Sequence, residues 1–173
     1  MGKTLKAEAL FSELKSIRKD KIIGLITGCF DILHNGHIDL LSFAESKCDI
    51  LIVGVDTDTA VKRTKGDDRP INNQKIRANN LLKTKLIDYV LLLENAESFD
   101  TDKADDFYSN LCILISPNYL FTTGERDLYL EAKRKRAIMC NAELVKFKLI
   151  SDVSTTKLIS QGLNRKLSQH RST

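Results

Sequence analysis

The sequence predicts a single-domain α/β fold built on a parallel β-sheet, and three observations carry that prediction. Short, almost wholly apolar runs recur along the chain, as strands covered on both faces do. They alternate with longer stretches whose apolar residues return about every 3.6 positions, the mark of amphipathic helices. At 173 residues the chain is long enough to bury a real core and short enough for one domain. Such alternation implies βαβ units joined by right-handed crossovers.

Leu5–Arg18 is the first expected helix, with Leu5, Ala9, Leu10, Phe11, Leu14 and Ile17 on one face. Ile22–Thr27 follows as a buried strand, then His37–Lys47 as a helix with Ile38, Leu40, Leu41 and Ala44 inward. Asp49–Val55 is a second buried strand, Lys75–Thr84 a helix, Tyr89–Leu93 a strand and Ala104–Asn110 a helix. Cys112–Ile115 and Tyr119–Thr122 flank Pro117, which breaks any single long strand there. Arg126–Cys140 is expected as a helix, Ala142–Leu149 as the last strand, and Thr155–Gln161 as the start of a final helix. The expected organisation is an N-terminal helix within 1–20, a domain over 21–161 and a polar, frayed tail over 162–173. The polar segments Gly28–His37, Asp56–Arg69, Thr123–Asp127 and Ser151–Thr156 each follow a strand. They are therefore expected on one sheet edge, beyond the strands' carboxyl ends, where ligands of such sheets bind.

Composition narrows the function. With 42% hydrophobic and 29% charged residues, the chain reads as a soluble globular protein. No apolar run approaches the roughly 20 residues of a membrane span, and the charged N-terminus lacks a signal peptide's core, so a cytoplasmic location without membrane contact is expected. Cys29, Cys48, Cys112 and Cys140 show no zinc-type spacing, so no structural metal is expected, and Cys29 is read as packing beneath its loop. The basic run Lys133-Arg134-Lys135-Arg136 lies in a helical stretch with acids at Asp127 and Glu131 and no interleaved aromatics. It is read as a solvated helix face, and no nucleic-acid partner is expected.

The chemistry concentrates in Gly28-Cys29-Phe30-Asp31-Ile32-Leu33-His34-Asn35-Gly36-His37. Gly28 directly follows a buried strand, where the chain must turn and a Cβ would obstruct an incoming phosphate. His34 and His37 flank Asn35-Gly36 at the mouth of a helix, whose unpaired amides and positive dipole end favour an anion. Attack on an α-phosphate requires in-line positioning and charge neutralisation, not a covalent partner from the protein. Imidazoles beside a triphosphate are expected to have raised pKa values, because the anion favours their charged form.

Thr27–Leu41 resembles the cytidylyltransferase-like superfamily, whose signature G-x-F-D-x-x-H-x-G-H it matches at every defined position. The resemblance implies a Rossmann-like, doubly wound fold and transfer of a nucleotidyl group with loss of pyrophosphate. It further implies phosphate contacts from His34 and His37, and a nucleotide site framed by Thr27, Gly28, Cys29, Phe30, Asp31 and Gly36. Val53–Asp58, Val61–Gly66, Arg69–Asn72 and Arg77 look most like the adenylyltransferase domain of heptose-phosphate enzymes, and so does Val153-Ser154-Thr155-Thr156. By that resemblance Lys62 is a catalytic cation, Lys65 and Arg77 reach a substrate phosphate, and Gly124, Ser154, Thr155 and Thr156 contact nucleotide. Lys62 and Lys65 are expected in a loop; Asp56 and Asp58 are expected to cap the turn after it. Magnesium is expected with the triphosphate, held mostly by its oxygens and water.

The likeness weakens after Pro117. The heptose enzymes end the corresponding strand in a lysine, two glycines and an aspartate; here Thr122-Thr123-Gly124-Glu125-Arg126 keeps only Gly124. Arg126 is expected to restore a phosphate contact. Glycerol-phosphate cytidylyltransferases carry an arginine five residues before the last motif's serine, where this chain has Leu149, with Lys148 one place earlier. The leading expectation is ATP (or CTP) with a phosphorylated sugar or polyol. Two alternatives are a glycerol-3-phosphate or other alcohol-phosphate cytidylyltransferase, and a nucleotide-binding regulatory module without turnover. A homodimer is also expected, with Phe99, Phe107 and Tyr108 as exposed contributors.

Overall fold

The apolar runs pair as their composition dictates. In the computed structural model, which describes residues 2–94, 102–124 and 127–148, Ile23–Gly28 (β2) lies parallel to Ile50–Val55 (β3), in register from Ile23 opposite Ile50 to Gly28 opposite Val55. Lys3–Leu5 (β1), Tyr89–Leu92 (β4), Tyr119–Thr122 (β5) and Glu143–Lys146 (β6) complete a six-stranded sheet in the order β1-β4-β3-β2-β5-β6. Every pairing is parallel. The helices are Ala7–Ile17 (α1), Asn35–Glu45 (α2), Asp58–Lys65 (α3), Gln74–Lys83 (α4), Asp102–Ile115 (α5) and Leu130–Met139 (α6).

Period-two alternation along the central strands splits the core in two. Leu25, Ile50 and Ile52 face one way, packed with Leu10 and Leu14 of α1, Leu111 and Ile115 of α5, and Ala137 of α6. Ile26, Leu51 and Val53 face the other way, onto Leu40, Leu41 and Ala44 of α2 and Ala78 and Leu81 of α4. The sheet is thus doubly wound within a single domain. From β2 the chain steps outward through β3 to β4, then crosses back to lay β5 on β2's other side. That reversal opens a crevice beyond the carboxyl ends of β2 and β5, where ligands of such sheets bind.

Three expectations change. Leu5 ends an edge strand, with Lys3 opposite Tyr89 and Leu5 opposite Leu91. Segment 1–20 is therefore part of the sheet domain, and three residues are too few to show a period. Cys112–Ile115 are the last turn of α5; the all-apolar run Leu111–Ile115 cannot distinguish helix from strand by periodicity, and Pro117 stops the helix. Lys62 and Lys65 ride on helix α3, capped by the Thr57 hydroxyl, which accepts from the Ala60 amide at 3.1 Å, and not by Asp56 or Asp58. The helix expected from Arg126 starts at Leu130, while Glu125, Arg126, Leu149 and the motif and helix expected after it lie outside the described residues.

Candidate functional site

The loop after β2 is held by its own buried groups. The sharp turn falls on Phe30, whose φ is 49°, and not on Gly28. Gly28 leaves room beside that turn: a Cβ there would lie 3.3 Å from the Phe30 ring, tighter than an ordinary contact. Phe30 tilts against His37, with ring centroids 5.4 Å apart. Asp31, 2% exposed, accepts from Arg69 Nε at 2.9 Å and from the amides of Ile71 (3.0 Å) and Asn72 (2.9 Å). The Asn72 side chain donates back to the Asp31 carbonyl at 2.9 Å. Asp31 therefore frames the site by fastening segment 69–72 beneath the loop.

Arg77 corrects its expected role. Its side chain is fully buried and donates to the carbonyls of Asn72 (3.0 Å), Asp56 (2.6 Å) and Cys29, and to Asp58 Oδ1 at 2.7 Å. With its donors committed to the protein, it clamps the loops after β2 and β3 together and is not free for a substrate phosphate.

The two imidazoles stack at the start of α2, 3.9 Å between centroids and 25° between planes. His34 is the N-cap residue, in extended conformation, with buried Gly36 between the pair. Neither Nδ1 has a hydrogen-bond partner. Burial, His34 and Lys65 push His37 down to about 3, against a backbone hydrogen bond with Ile32; burial lowers His34 as well. The expected rise in pKa is therefore not a property of the ligand-free site. Burial disfavours the charged form of both rings, and at His37 the neighbouring His34 and Lys65 add to it.

A cavity of about 340 Å³ opens at the crevice. Thr27, Gly28, Cys29, Phe30, Asp31, His37 and Lys65 line it, and His34 does not. Burial raises the Cys29 thiol pKa, which suits packing and not nucleophilic attack. Of the α3 cations, Lys65 lines the cavity, whereas Lys62 pairs with Asp67 at 3.2 Å on the exposed side. Gly124, at φ 67°, shapes the turn after β5 but does not line the cavity. Ser154, Thr155, Thr156 and Arg126 lie outside the described residues.

The same cavity is lined by residues that the sequence pattern did not mark as functional. Lys133 and Arg136 of α6 line the cavity at 8% and 6% exposure, while Arg134 and Lys135 face solvent. The run expected as a solvated face is thus split by helical geometry, and Lys133, Arg136 and Ala137 form the buried face. A basic pair three apart that continues into Ala137 was the available signal. Lys133 Nζ donates to Asp127 Oδ2 at 2.7 Å, and the Thr122 hydroxyl donates to the same oxygen at 2.6 Å. Burial opposes the Asp127 charge, but Lys133 outweighs it and holds the carboxyl below its usual range. Tyr108, expected on an exposed dimer surface, is 2% exposed and donates its hydroxyl to Asp56 Oδ1 at 2.8 Å. Burial pushes Asp56 up to about 6 despite that bond and Arg77 nearby.

The family model described as cytidylyltransferase-like matches residues 25–161, which contain this loop, both histidines and the cavity walls. The chain belongs to the cytidylyltransferase-like family. It is a nucleotidyltransferase, as the family match and the relatives together support. One relative, the bifunctional protein HldE of Nitrobacter winogradskyi, is 35% identical over 140 residues, 81% of this chain and 27% of that protein. HldE of a Nitratiruptor species is 46% identical over 98 residues, 54% of this chain and 21% of that protein. This cytidylyltransferase-like chain thus spans about a quarter of the length of the curated relatives it matches. Among solved structures, the lipopolysaccharide core biosynthesis protein of Thermoplasma volcanium superposes with a TM-score of 0.59 at 22% identity, covering 76% of this chain and 99% of that one. Pantoate-beta-alanine ligase of Francisella tularensis gives 0.61 at 19% identity, covering 85% and 67%. These two share the Rossmann-like fold of the family. Among the described residues no helix is long and apolar enough to cross a membrane.

Proposed function

We propose that the chain transfers the adenylyl group of ATP to the phosphate of a phosphorylated sugar and releases pyrophosphate. The observation that carries this reading is the stacked His34–His37 pair at the α2 N-terminus, with His37 lining a cavity at the point where strand order reverses. An acceptor phosphate oxygen attacks the α-phosphorus in line, the bond to the β-phosphate oxygen breaks, and pyrophosphate leaves with that electron pair. Charge builds on the α-phosphoryl oxygens and the leaving group. The two imidazoles, Lys65 and the first-turn amides of α2 neutralise it without moving far. ATP is favoured over CTP by the likeness of Lys62–Asn72 to heptose-phosphate adenylyltransferases and by the HldE relatives.

Magnesium belongs with the triphosphate, where it would neutralise phosphate charge. The described residues contain no group of three His, Cys, Asp or Glu side chains poised for a metal. Both Asp31 oxygens are already engaged, so phosphate oxygens and water supply the ligands. The reading places the reaction in the cytoplasm, where nucleoside triphosphates are at hand.

Pyrophosphate release should be followed with ATP or CTP against sugar 1-phosphates, glycerol 3-phosphate and phosphocholine. ATP with a sugar phosphate is the expected productive pair. Turnover of CTP with glycerol 3-phosphate alone would move the assignment, and nucleotide binding without any turnover would leave a regulatory module.

A further inference from the structure

We propose that Lys133 and Arg136 are acceptor-binding residues, which hold the hydroxyl-bearing part of the phosphorylated acceptor. The inference rests on the nucleotidyl-transfer reading above and extends it to the α6 lining of the cavity.

The transferred phosphate must sit beside His37, on the α2 side of the cavity. The same cavity is lined by Tyr108 of α5, Lys133 and Arg136 of α6, and the carboxyl groups of Asp56 and Asp127. Beside the apolar Ile26, Leu40, Phe121 and Leu128, these groups offer charged donors and acceptors to a hydroxyl-bearing ligand. Lys133 is already paired with Asp127, and Arg136 with Asp105. A neutral polyol can join these pairs, each hydroxyl donating to a carboxylate and accepting from a cation, without leaving a buried charge alone.

Arg136 carries a second sign of an incomplete site. Its guanidinium lies over the Tyr108 ring, 5.0 Å from the centroid, and its buried Nε has no hydrogen-bond partner. Buried donors are nearly always satisfied, and a ligand hydroxyl in the cavity would satisfy this one.

The test uses Arg136→Gln and Lys133→Gln in the full chain, with the KM of acceptor and of nucleotide measured separately. Each variant is expected to raise acceptor KM by about tenfold with nucleotide KM changed less than about twofold. A merely structural role would move both KM values together. If Arg136→Gln does not fold, Lys133→Gln gives the same readout. Unchanged acceptor KM, or both KM values moving together, overturns the proposal while the transfer reading stands. Nucleotide binding without turnover of any acceptor overturns both.

Discussion

Replacing Arg77 with methionine should unfold the site before it alters any substrate contact. Methionine keeps much of the side chain's length but removes every donor. The carbonyls of Asn72, Asp56 and Cys29 and the Asp58 carboxylate then lose a fully buried guanidinium. Each buried acceptor left without a partner costs about 1–3 kcal/mol. The Asp58 carboxylate is partly exposed and rehydrates, which offsets part of that loss. A net loss of about 3–5 kcal/mol follows, in the range for breaking a buried charged pair. With a urea slope of about 2 kcal/mol per molar, the unfolding midpoint should fall by roughly 2 M. Arg77→Lys should recover little, because one ammonium cannot span carbonyls held by three separate segments. Urea unfolding followed by circular dichroism checks this. A variant that unfolds at the parental midpoint while its acceptor KM rises would refute the clamp and return Arg77 to the substrate.

Three further outcomes are expected. His37→Ala, still folded, should lose about 10²–10⁴ in kcat, measured by pyrophosphate release; full activity would remove the imidazole from the transition state. Nucleotide binding should take up protons between about pH 5 and 7, because the triphosphate raises the depressed pKa of His37; calorimetry in buffers of different ionisation enthalpy reads the uptake, and His37→Gln should diminish it. Asp56 titrates near 6 when folded, against an ordinary value of 3.8, so the folded state keeps a proton that the unfolded chain releases. Its contribution to stability therefore falls as pH rises through that window. Asp56→Asn should make the stability of the variant relative to the parent increase from about pH 4 to 6; a constant difference would show that Asp56 is not held protonated.

Much of the site was legible because its signals are local. The stretch Gly28–His37 combines a strand end, a tight turn and a helix start within ten consecutive residues. The backbone geometry of strand and helix then places His34 and His37 together whatever lies around them. The same holds for the buried strands β2 and β3, whose unbroken apolar runs can only be satisfied by cover on both faces.

Arg77 and α6 show where local pattern stops. From sequence, an arginine on an amphipathic helix is free to reach a phosphate; its fate depended on three carbonyls from segments that meet only when the sheet is wound. Lys62 and Lys65 were equivalent until α3 turned one toward Asp67 and the other toward the cavity. The run Lys133–Arg136 carries no mark of which cations are inside, because that depends on how α6 lies against β5 and α5.

The sequence alone thus determined the fold class, the family loop Gly28–His37 and the reaction type, since these depend on residues near one another along the chain. Only the tertiary structure decided which cations face the cavity and which brace it. The Arg77 guanidinium meets carbonyls 21 and 48 residues away along the chain. Partners that distant are set by packing, and burial converts the same group from a reaching arm into a clamp.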